Sequence, residues 1–155
     1  MPACETDVSS LLERIREIYT RLPFNRHLGI EVTYLGIAGA GLDFPMRSEL
    51  IGNYVHRMLH GGVISSVLDA TRGLTATSSA AERLVVLAPE EIGHRIARVG
   101  TIDLRVDYLR PGIGTHFYSS GTVMRAGRKV AVTRMELKNQ EDRLIAVGTG
   151  AYLIA

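Results

Sequence analysis

Asp69 is the residue whose position in this chain most needs a chemical explanation. It stands among apolar and small residues in segment 60–81, where a charged side chain is unexpected. An ionised carboxylate in an apolar site costs several kcal/mol unless it is paired or hydrogen-bonded, or unless its pKa rises. Two explanations stay open at this point. Asp69 either pairs with Arg72 or is partly exposed, or it is a reactive carboxylate in a cleft.

The sequence His60-Gly61-Gly62 stands nine residues upstream of Asp69, where a helix is predicted to begin. Two glycines leave backbone N–H groups unobstructed, and a helix N-terminus carries a partial positive charge that can stabilise a developing oxyanion. Gly62 and Asp69 are about seven residues apart, or roughly 10 Å at 1.5 Å per residue. One chain therefore cannot bring both to one carbon atom. A site that uses both requires two chains related by a twofold axis.

Two helices are predicted to position these residues. Segment 60–81 has the apolar stripe of a buried helix, formed by Val63, Ile64, Val67, Leu68, Thr71 and Leu74. Its other residues are mostly small, which lets a β-sheet approach closely. The second helix lies near the N-terminus, with Ser9 or Ser10 as its cap and Pro23 at its end. Its apolar face is formed by Leu11, Leu12, Ile15, Ile18, Tyr19 and Leu22.

The other elements are predicted to be strands, apart from a short helix from Pro89 to about Ala97. The glycine-rich turn 36–41 indicates a hairpin. Residues alternate from Thr101, with one face formed by Ile102, Leu104, Val106 and Tyr108. Turn signals then separate strands at roughly 115–125, 129–138 and 143–154. This order predicts an α+β fold in which one antiparallel sheet wraps one central helix.

Composition excludes several classes of protein. The chain has 155 residues, of which 46% are hydrophobic and 22% charged, as is typical of a globular protein. A net charge of +2 does not indicate a nucleic-acid partner, and the single Cys4 excludes an internal disulfide and is given no catalytic role. No apolar run is long enough for a membrane helix or a signal peptide, so we expect a cytoplasmic protein with no membrane partner.

The segment HGGVISSVLD resembles the HGG-x(6)-D signature of hotdog-fold acyl-CoA thioesterases of the PaaI type. GTIDLRVDYLRPG and MRAGRKVAV strengthen the resemblance, which covers about residues 25–154. It implies a hotdog domain at 25–155, a long helix wrapped by an antiparallel sheet, after an N-terminal helix and lead-in at 1–24. It also implies a homodimer, with a tetramer left open, that hydrolyses medium- or long-chain acyl-CoA. Coenzyme A is then part of the substrate, and no separate cofactor is expected.

The resemblance assigns catalytic roles residue by residue. Asp69 would be the general base that activates water, or the nucleophile that forms an acyl anhydride. Gly62 would donate its N–H to the thioester carbonyl, and His60 would hold the turn or touch the substrate. The family's amide stands six residues before the histidine, where this chain has Tyr54. Asn53 can take that role only if the loop bulges by one residue.

Binding residues also follow from the resemblance. Coenzyme A carries three phosphate groups, and the basic turn at 125–129 suits bidentate contact with them, although a solvated basic turn is the alternative. Thr101 matches a hydroxyl that the family has at the start of its third strand, and an ordinary strand residue is the alternative. The residues expected to bind substrate are Gly61, Thr101, Arg110, Arg125, Gly127, Arg128, Lys129 and Val130.

Other functions were weighed against hydrolysis. His56 and His60 lack a third ligand at suitable spacing, so no metal site is expected. A hotdog dehydratase or hydratase would pair histidine and acid within different motifs. A non-catalytic acyl-CoA sensor would dispense with the carboxylate or the glycine pair, and both are present. A DNA-binding regulator would need more than the single helix at the N-terminus.

Overall fold

Five helices and eight strands make up residues 7–154, the part of the chain that this computed structural model describes. The helices are α1 Val8–Arg21, α2 Pro23–Leu28, α3 Gly61–Ser78, α4 Ala81–Leu84 and α5 Pro89–Ile96. The strands are β1 Glu31–Gly36, β2 Gly39–Pro45, β3 Ile51–Asn53, β4 Met58–Leu59, β5 Gly100–Tyr108, β6 His116–Ala126, β7 Val130–Asn139 and β8 Leu144–Leu153. Cys4 lies outside the described residues. Among these helices, none combines the length and apolar character needed to cross a membrane.

Six strands form one sheet in the order β1-β2-β6-β7-β8-β5, and every pair is antiparallel. Strands β3 and β4 form a separate small hairpin just before α3. Helix α3 packs along the sheet, and their facing side chains make the core, in which Phe44 stacks on Phe117. The predicted α+β arrangement, a central helix wrapped by an antiparallel sheet, is confirmed.

Helix α3 approaches the sheet closely at Gly121 of β6, where small residues face each other. A Cβ atom on Gly121 of β6 would collide with the Thr75 hydroxyl. Beside it, the buried hydroxyls of Thr71 and Ser119 lie 2.6 Å apart and share a hydrogen bond. Leu68 and Leu74 are fully buried, as the apolar stripe predicted. The buried hydroxyl groups of α3 thus find hydrogen-bond partners in the sheet or in the helix backbone.

Helix α1 packs its apolar face against the same core. Leu11, Ile15 and Tyr19, at intervals of four residues, are buried. The predicted cap is wrong, because Asp7 and not a serine accepts the hydrogen bond, from the backbone N–H of Ser10 at 2.7 Å. Asp7 precedes the two predicted serines by two and three residues, and its negative charge also complements the helix dipole. The boundary predicted between residues 24 and 25 falls within α2, and that division stays a prediction.

Strand β5 forms one edge of the sheet and contains a bulge at Ile102. Thr101 pairs with Tyr152 and Asp103 with Ala151, so Ile102 is an extra residue. The bulge places Thr101 on the helix side of the sheet, the face that Leu104 also uses. The prediction that Ile102 shares a face with Leu104 is therefore wrong, and Ile102 is 55% exposed. Simple alternation fails here because one inserted residue reverses the facing of everything before it.

Candidate active site

The Asp69 carboxylate is held by two donors on a single oxygen. Arg72 and the Thr101 hydroxyl both donate to Oδ1, Arg72 through a very short contact and Thr101 at 3.2 Å. No described residue donates to Oδ2. The side chain is 42% exposed. One oxygen is therefore fixed while the other is left free at the surface.

Arg72 is the largest buried side chain near the site, and its guanidinium connects α3 to β5. It donates to Asp69, to the Thr101 hydroxyl at 2.7 Å and to the backbone carbonyl of Asp103. The guanidinium also lies over the ring of Tyr152, 5.2 Å from its centroid. A buried cation is costly unless it is paired and hydrogen-bonded. The ion pair weighed as one explanation of Asp69 is therefore real, and it also orients the carboxylate.

Asp69 lines a cavity of about 270 Å³ between the N-terminal helices and the core. Its other wall residues include Tyr19, Leu22, Pro23, Phe24, Ala70 and Tyr152. Its polar wall residues, besides Asp69 and the two tyrosines, are Asn25 and Ser66, and most of the exposed wall is apolar. A carboxylate at the wall of a largely apolar cavity is the arrangement that a hydrolytic site for an apolar substrate requires.

Two tyrosine hydroxyls border this cavity beside Gly73. Both the Tyr19 and Tyr152 hydroxyls lie 2.9 Å from the position that a Cβ atom on Gly73 would occupy. Burial raises the pKa of Tyr19 and of Tyr152, so both phenols are neutral donors at physiological pH. The absence of a side chain at Gly73 gives these hydroxyls their room. The sequence placed Tyr19 only on the apolar face of the first helix and indicated no role in the site for either tyrosine.

At the N-terminus of α3, His60 itself caps the helix. Its Nδ1 accepts from the Gly62 N–H at 2.9 Å, and the N–H groups of Val63 and Ile64 donate to its carbonyl. The Gly61 N–H has no acceptor among residues 7–154. The structure thus places His60 in the turn-holding role. The Gly62 N–H, which the resemblance assigns to the thioester carbonyl, instead donates to His60. The N–H without an acceptor at this helix end belongs to Gly61.

The β3–β4 hairpin packs against this helix cap through Gly52. A Cβ atom on Gly52 would stand 2.5 Å from the Cα atom of His60, so only glycine fits there. Gly52 is an extra residue in the pairing of β3 with β4, so the strand bulges just before Asn53 and not between Asn53 and His60, where the catalytic role of Asn53 would need it. Asn53 follows it, and its side-chain oxygen accepts from the backbone N–H of His56 at 3.1 Å. Asn53 thereby orders the turn, and its catalytic role stays a prediction.

A second cavity, of about 380 Å³, lies beside the α3 N-terminus at the end of β5. Gly61 and Arg110 both line it, together with Tyr108, whose hydroxyl donates to the Gly61 carbonyl at 3.0 Å. Arg110 also donates to the carbonyl of Leu144 at 3.0 Å. Gly61 and Arg110, which the sequence placed in one binding site, are therefore neighbours.

The basic turn between β6 and β7 lies at the opposite end of the sheet from Arg110. It includes Arg125, Gly127, Arg128, Lys129 and Val130, and Gly127 donates to the Val130 carbonyl at 2.8 Å. The turn adjoins the start of β5, because the Ile154 N–H donates to the Lys129 carbonyl at 2.8 Å. Within one chain, Arg110 and this turn do not meet.

The predicted residues therefore form three groups in one chain. Asp69 with Thr101 lies at the start of β5, the group around His60 lies at its end, and the basic turn adjoins the first group. The spacing of three residues identified Arg72 as an ion-pair partner for Asp69. Nothing in the sequence indicated that Arg72 also contacts Thr101 and the Asp103 carbonyl on β5. Among the described residues, no three His, Cys, Asp or Glu side chains are grouped to hold a metal ion.

Comparison with known proteins points to one family. Residues 56–146 match the model of the thioesterase superfamily. The medium/long-chain acyl-CoA thioesterase YigI of Salmonella typhimurium is 42% identical over 144 residues, which cover 92% of this chain and 93% of that protein.

Solved structures agree. A Shewanella oneidensis protein related to the thioesterase superfamily has a TM-score of 0.91 at 42% identity, covering 96% of this chain and 97% of its own. The PaaI protein of Escherichia coli, from the phenylacetic acid degradation operon, has a TM-score of 0.76 at 18% identity and covers 96% of each chain. That second likeness is one of fold alone. The resemblance stated from the sequence motifs is confirmed.

Proposed function

This chain belongs to the thioesterase superfamily, and we propose that it hydrolyses acyl-CoA thioesters to a free acid and coenzyme A. The observation that carries the proposal is the Asp69 carboxylate, held through Oδ1 with Oδ2 free at an apolar cavity. The 42% identity to a medium/long-chain acyl-CoA thioesterase supports the substrate class. Coenzyme A enters as part of the substrate and no separate cofactor is required. A cytoplasmic location stays a prediction.

Two reaction routes begin at the free Oδ2 atom of Asp69. In the first it takes a proton from water, the hydroxide attacks the thioester carbon, and coenzyme A leaves as the thiolate. In the second Oδ2 itself attacks, expels the thiolate, and forms an acyl anhydride that water then cleaves. Label in Asp69 after single turnovers in ¹⁸O-labelled water establishes the second route, with water attacking the Asp69 carbonyl of the anhydride, since the first route puts the label only in the product acid.

The complete site is proposed to form between two copies of the chain that pair through β5. This nine-residue strand has a strand neighbour on one side only, β8, and a long edge strand with free backbone groups favours pairing. Antiparallel pairing about a twofold axis brings the start of one β5 alongside the end of the other. Thr101, which contacts Asp69, then approaches the partner's Tyr108, which contacts the partner's Gly61.

Charge on the exposed face of β5 favours one register of that pairing. Residues that lie opposite each other in an antiparallel pair share a face. With Arg105 on the axis, the two arginines would meet and Asp103 would face the partner's Asp107. With Leu104 on the axis, Asp103 of each chain faces Arg105 of the other chain, so the dimer contains two attractive charge pairs. We therefore favour the Leu104 register.

Because the Gly62 N–H is bonded to His60, the free Gly61 N–H is proposed to donate to the thioester carbonyl, and loss of this donor tests that role. Gly61→Pro removes only that donor, because proline suits the first helical position and His60 has the extended conformation (ψ 137°) that precedes proline. We expect kcat to fall about 10²-fold. Gly61→Ala, which keeps the N–H, is the control. Equal losses in both variants would assign the effect to space near Tyr108 rather than to the donor.

The cavity beside Asp69 is proposed to take the acyl chain. Leu22→Trp should fill it, lowering kcat/KM for C12–C16 acyl-CoA about tenfold while the C4 substrate changes less than about twofold. Ile18→Trp is the matched control, since Ile18 lies one turn earlier on α1, is exposed and does not line the cavity. A uniform loss over all chain lengths would refute the acyl assignment.

The test of the overall proposal is thiol release from acyl-CoAs of C4 to C18, with phenylacetyl- and benzoyl-CoA included. We expect turnover with a maximum at medium or long aliphatic chains. Binding of acyl-CoA without turnover of any member would overturn hydrolysis and favour a sensor. A maximum at an aromatic acyl group would overturn the aliphatic preference but leave the thioesterase reaction in place.

A further inference from the structure

A cavity of about 340 Å³ between α4, α5 and the β6–β7 turn is bordered by three guanidinium groups. They belong to Arg83, Arg95 and Arg128, and no acidic residue lines this cavity. Only Arg128 was among the residues singled out from the sequence, because the other two lie thirty or more positions upstream of the basic turn. Helix α4 brings Arg83, and helix α5 brings Arg95, next to the basic turn.

The floor of this cavity is apolar. Leu84, Leu87 and Ile154 line it, and Leu84 and Ile154 are buried. Aliphatic side chains beside several guanidinium groups suit a ligand that combines an aromatic base with phosphate groups. A simple inorganic anion would need no such floor.

The three arginines are held in place by different partners. Arg83 donates to the Gly127 carbonyl at 2.6 Å, which fixes the turn against α4. Arg95 pairs with Glu91, one turn earlier on α5, at 3.1 Å. That pair is half exposed, so a more highly charged anion can compete with Glu91 for the guanidinium.

The cavity lies at the same end of β5 as Asp69. Thr101 pairs with Tyr152, which pairs with Ala131 just after the turn, so two strand spacings, or roughly 10 Å, separate Thr101 from the first residues of β7. We propose, resting on the thioesterase function above, that this cavity binds the adenosine 3′,5′-bisphosphate portion of coenzyme A. The base lies on the aliphatic floor, and Arg83, Arg95 and Arg128 contact the phosphates.

Two variants with opposite expected effects test this site. Adenosine 3′,5′-bisphosphate is the probe, with its Kd measured by calorimetry. Arg95→Gln should raise the Kd about tenfold, because it removes a phosphate contact. Glu91→Gln should lower the Kd about two- to threefold, because it removes the competing carboxylate. Arg14→Gln, on the exposed face of α1, is the control and should change nothing.

A kinetic measurement separates this site from the proposed function. Arg95→Gln should raise KM for acyl-CoA about tenfold and leave kcat, and also KM for the matching acyl-pantetheine thioester, unchanged. Equal effects on both substrates, or an unchanged Kd for the bisphosphate, would overturn the site. If the wild type hydrolyses neither thioester while the bisphosphate still shows the expected Kd changes, the site stands and the thioesterase function fails.

Discussion

Replacing Asp69 with asparagine should lower kcat for acyl-CoA hydrolysis about 10³-fold while KM changes little. Asparagine keeps the volume of the side chain and an oxygen that can accept from Arg72 and Thr101. It removes the carboxylate oxygen that has no donor and that we assign to the reaction. Steady-state thiol release with a medium-chain acyl-CoA measures the effect.

The stability of that variant has to be followed separately, because Arg72 is fully buried and loses its counter-charge. Asp69 is 42% exposed, so solvent screens the pair, and we expect a loss of at most about 2 kcal/mol in the free energy of unfolding. Thermal unfolding checks this. Asp142→Asn, which breaks an exposed ion pair with Lys138, is the control and should keep full activity. Wild-type turnover in Asp69→Asn would remove Asp69 from the mechanism.

Reversing the charge of Arg105 should disrupt the dimer and its activity together. In the favoured register Arg105→Glu replaces two attractive contacts with Asp103 of the partner subunit by two repulsive ones. Each change is worth about 1–2 kcal/mol, so the dimer should dissociate roughly 10²-fold more readily. Sedimentation at micromolar concentration and thiol release on the same samples measure both effects.

Arg134→Glu is the matched control for the interface. Arg134 lies on β7, an internal strand of the sheet, and pairs with Glu136 at 3.5 Å, so its reversal adds the same charge away from the edge. It should leave assembly and turnover intact. A monomeric wild type with full activity would contradict the two-chain site outright.

Mixed dimers provide a direct test that the site spans both subunits. Asp69→Asn and Gly61→Pro subunits are each expected to be nearly inactive alone. A dimer with one subunit of each kind has one site with both defects and one with neither. Because half of randomly mixed dimers are of this kind, about a quarter of wild-type activity should return. No recovery on mixing would place both residues in one chain's site.

The sequence alone determined the fold class and the family, because both depend on local patterns. Apolar residues at helical spacing marked α1 and α3, alternation and turn residues marked β6, β7 and β8, and the glycine pair with Asp69 marked the motif. These signals lie within single elements, where spacing in the chain fixes spacing in space. The resemblance added Thr101 as a substrate-binding residue, and that role stays a prediction.

Only the tertiary structure decided what surrounds those residues. The bulge at Ile102 turned Thr101 inward, Arg72 bridged α3 to β5, and α1 with α2 supplied a cavity wall from about fifty residues upstream of Asp69. The hydrogen bond from the Gly62 N–H to His60 and the grouping of Arg83 and Arg95 with the basic turn also could not be predicted from the sequence. Each depends on contacts between elements distant in the chain, and such contacts are set by how the helices and the sheet pack rather than by residue spacing.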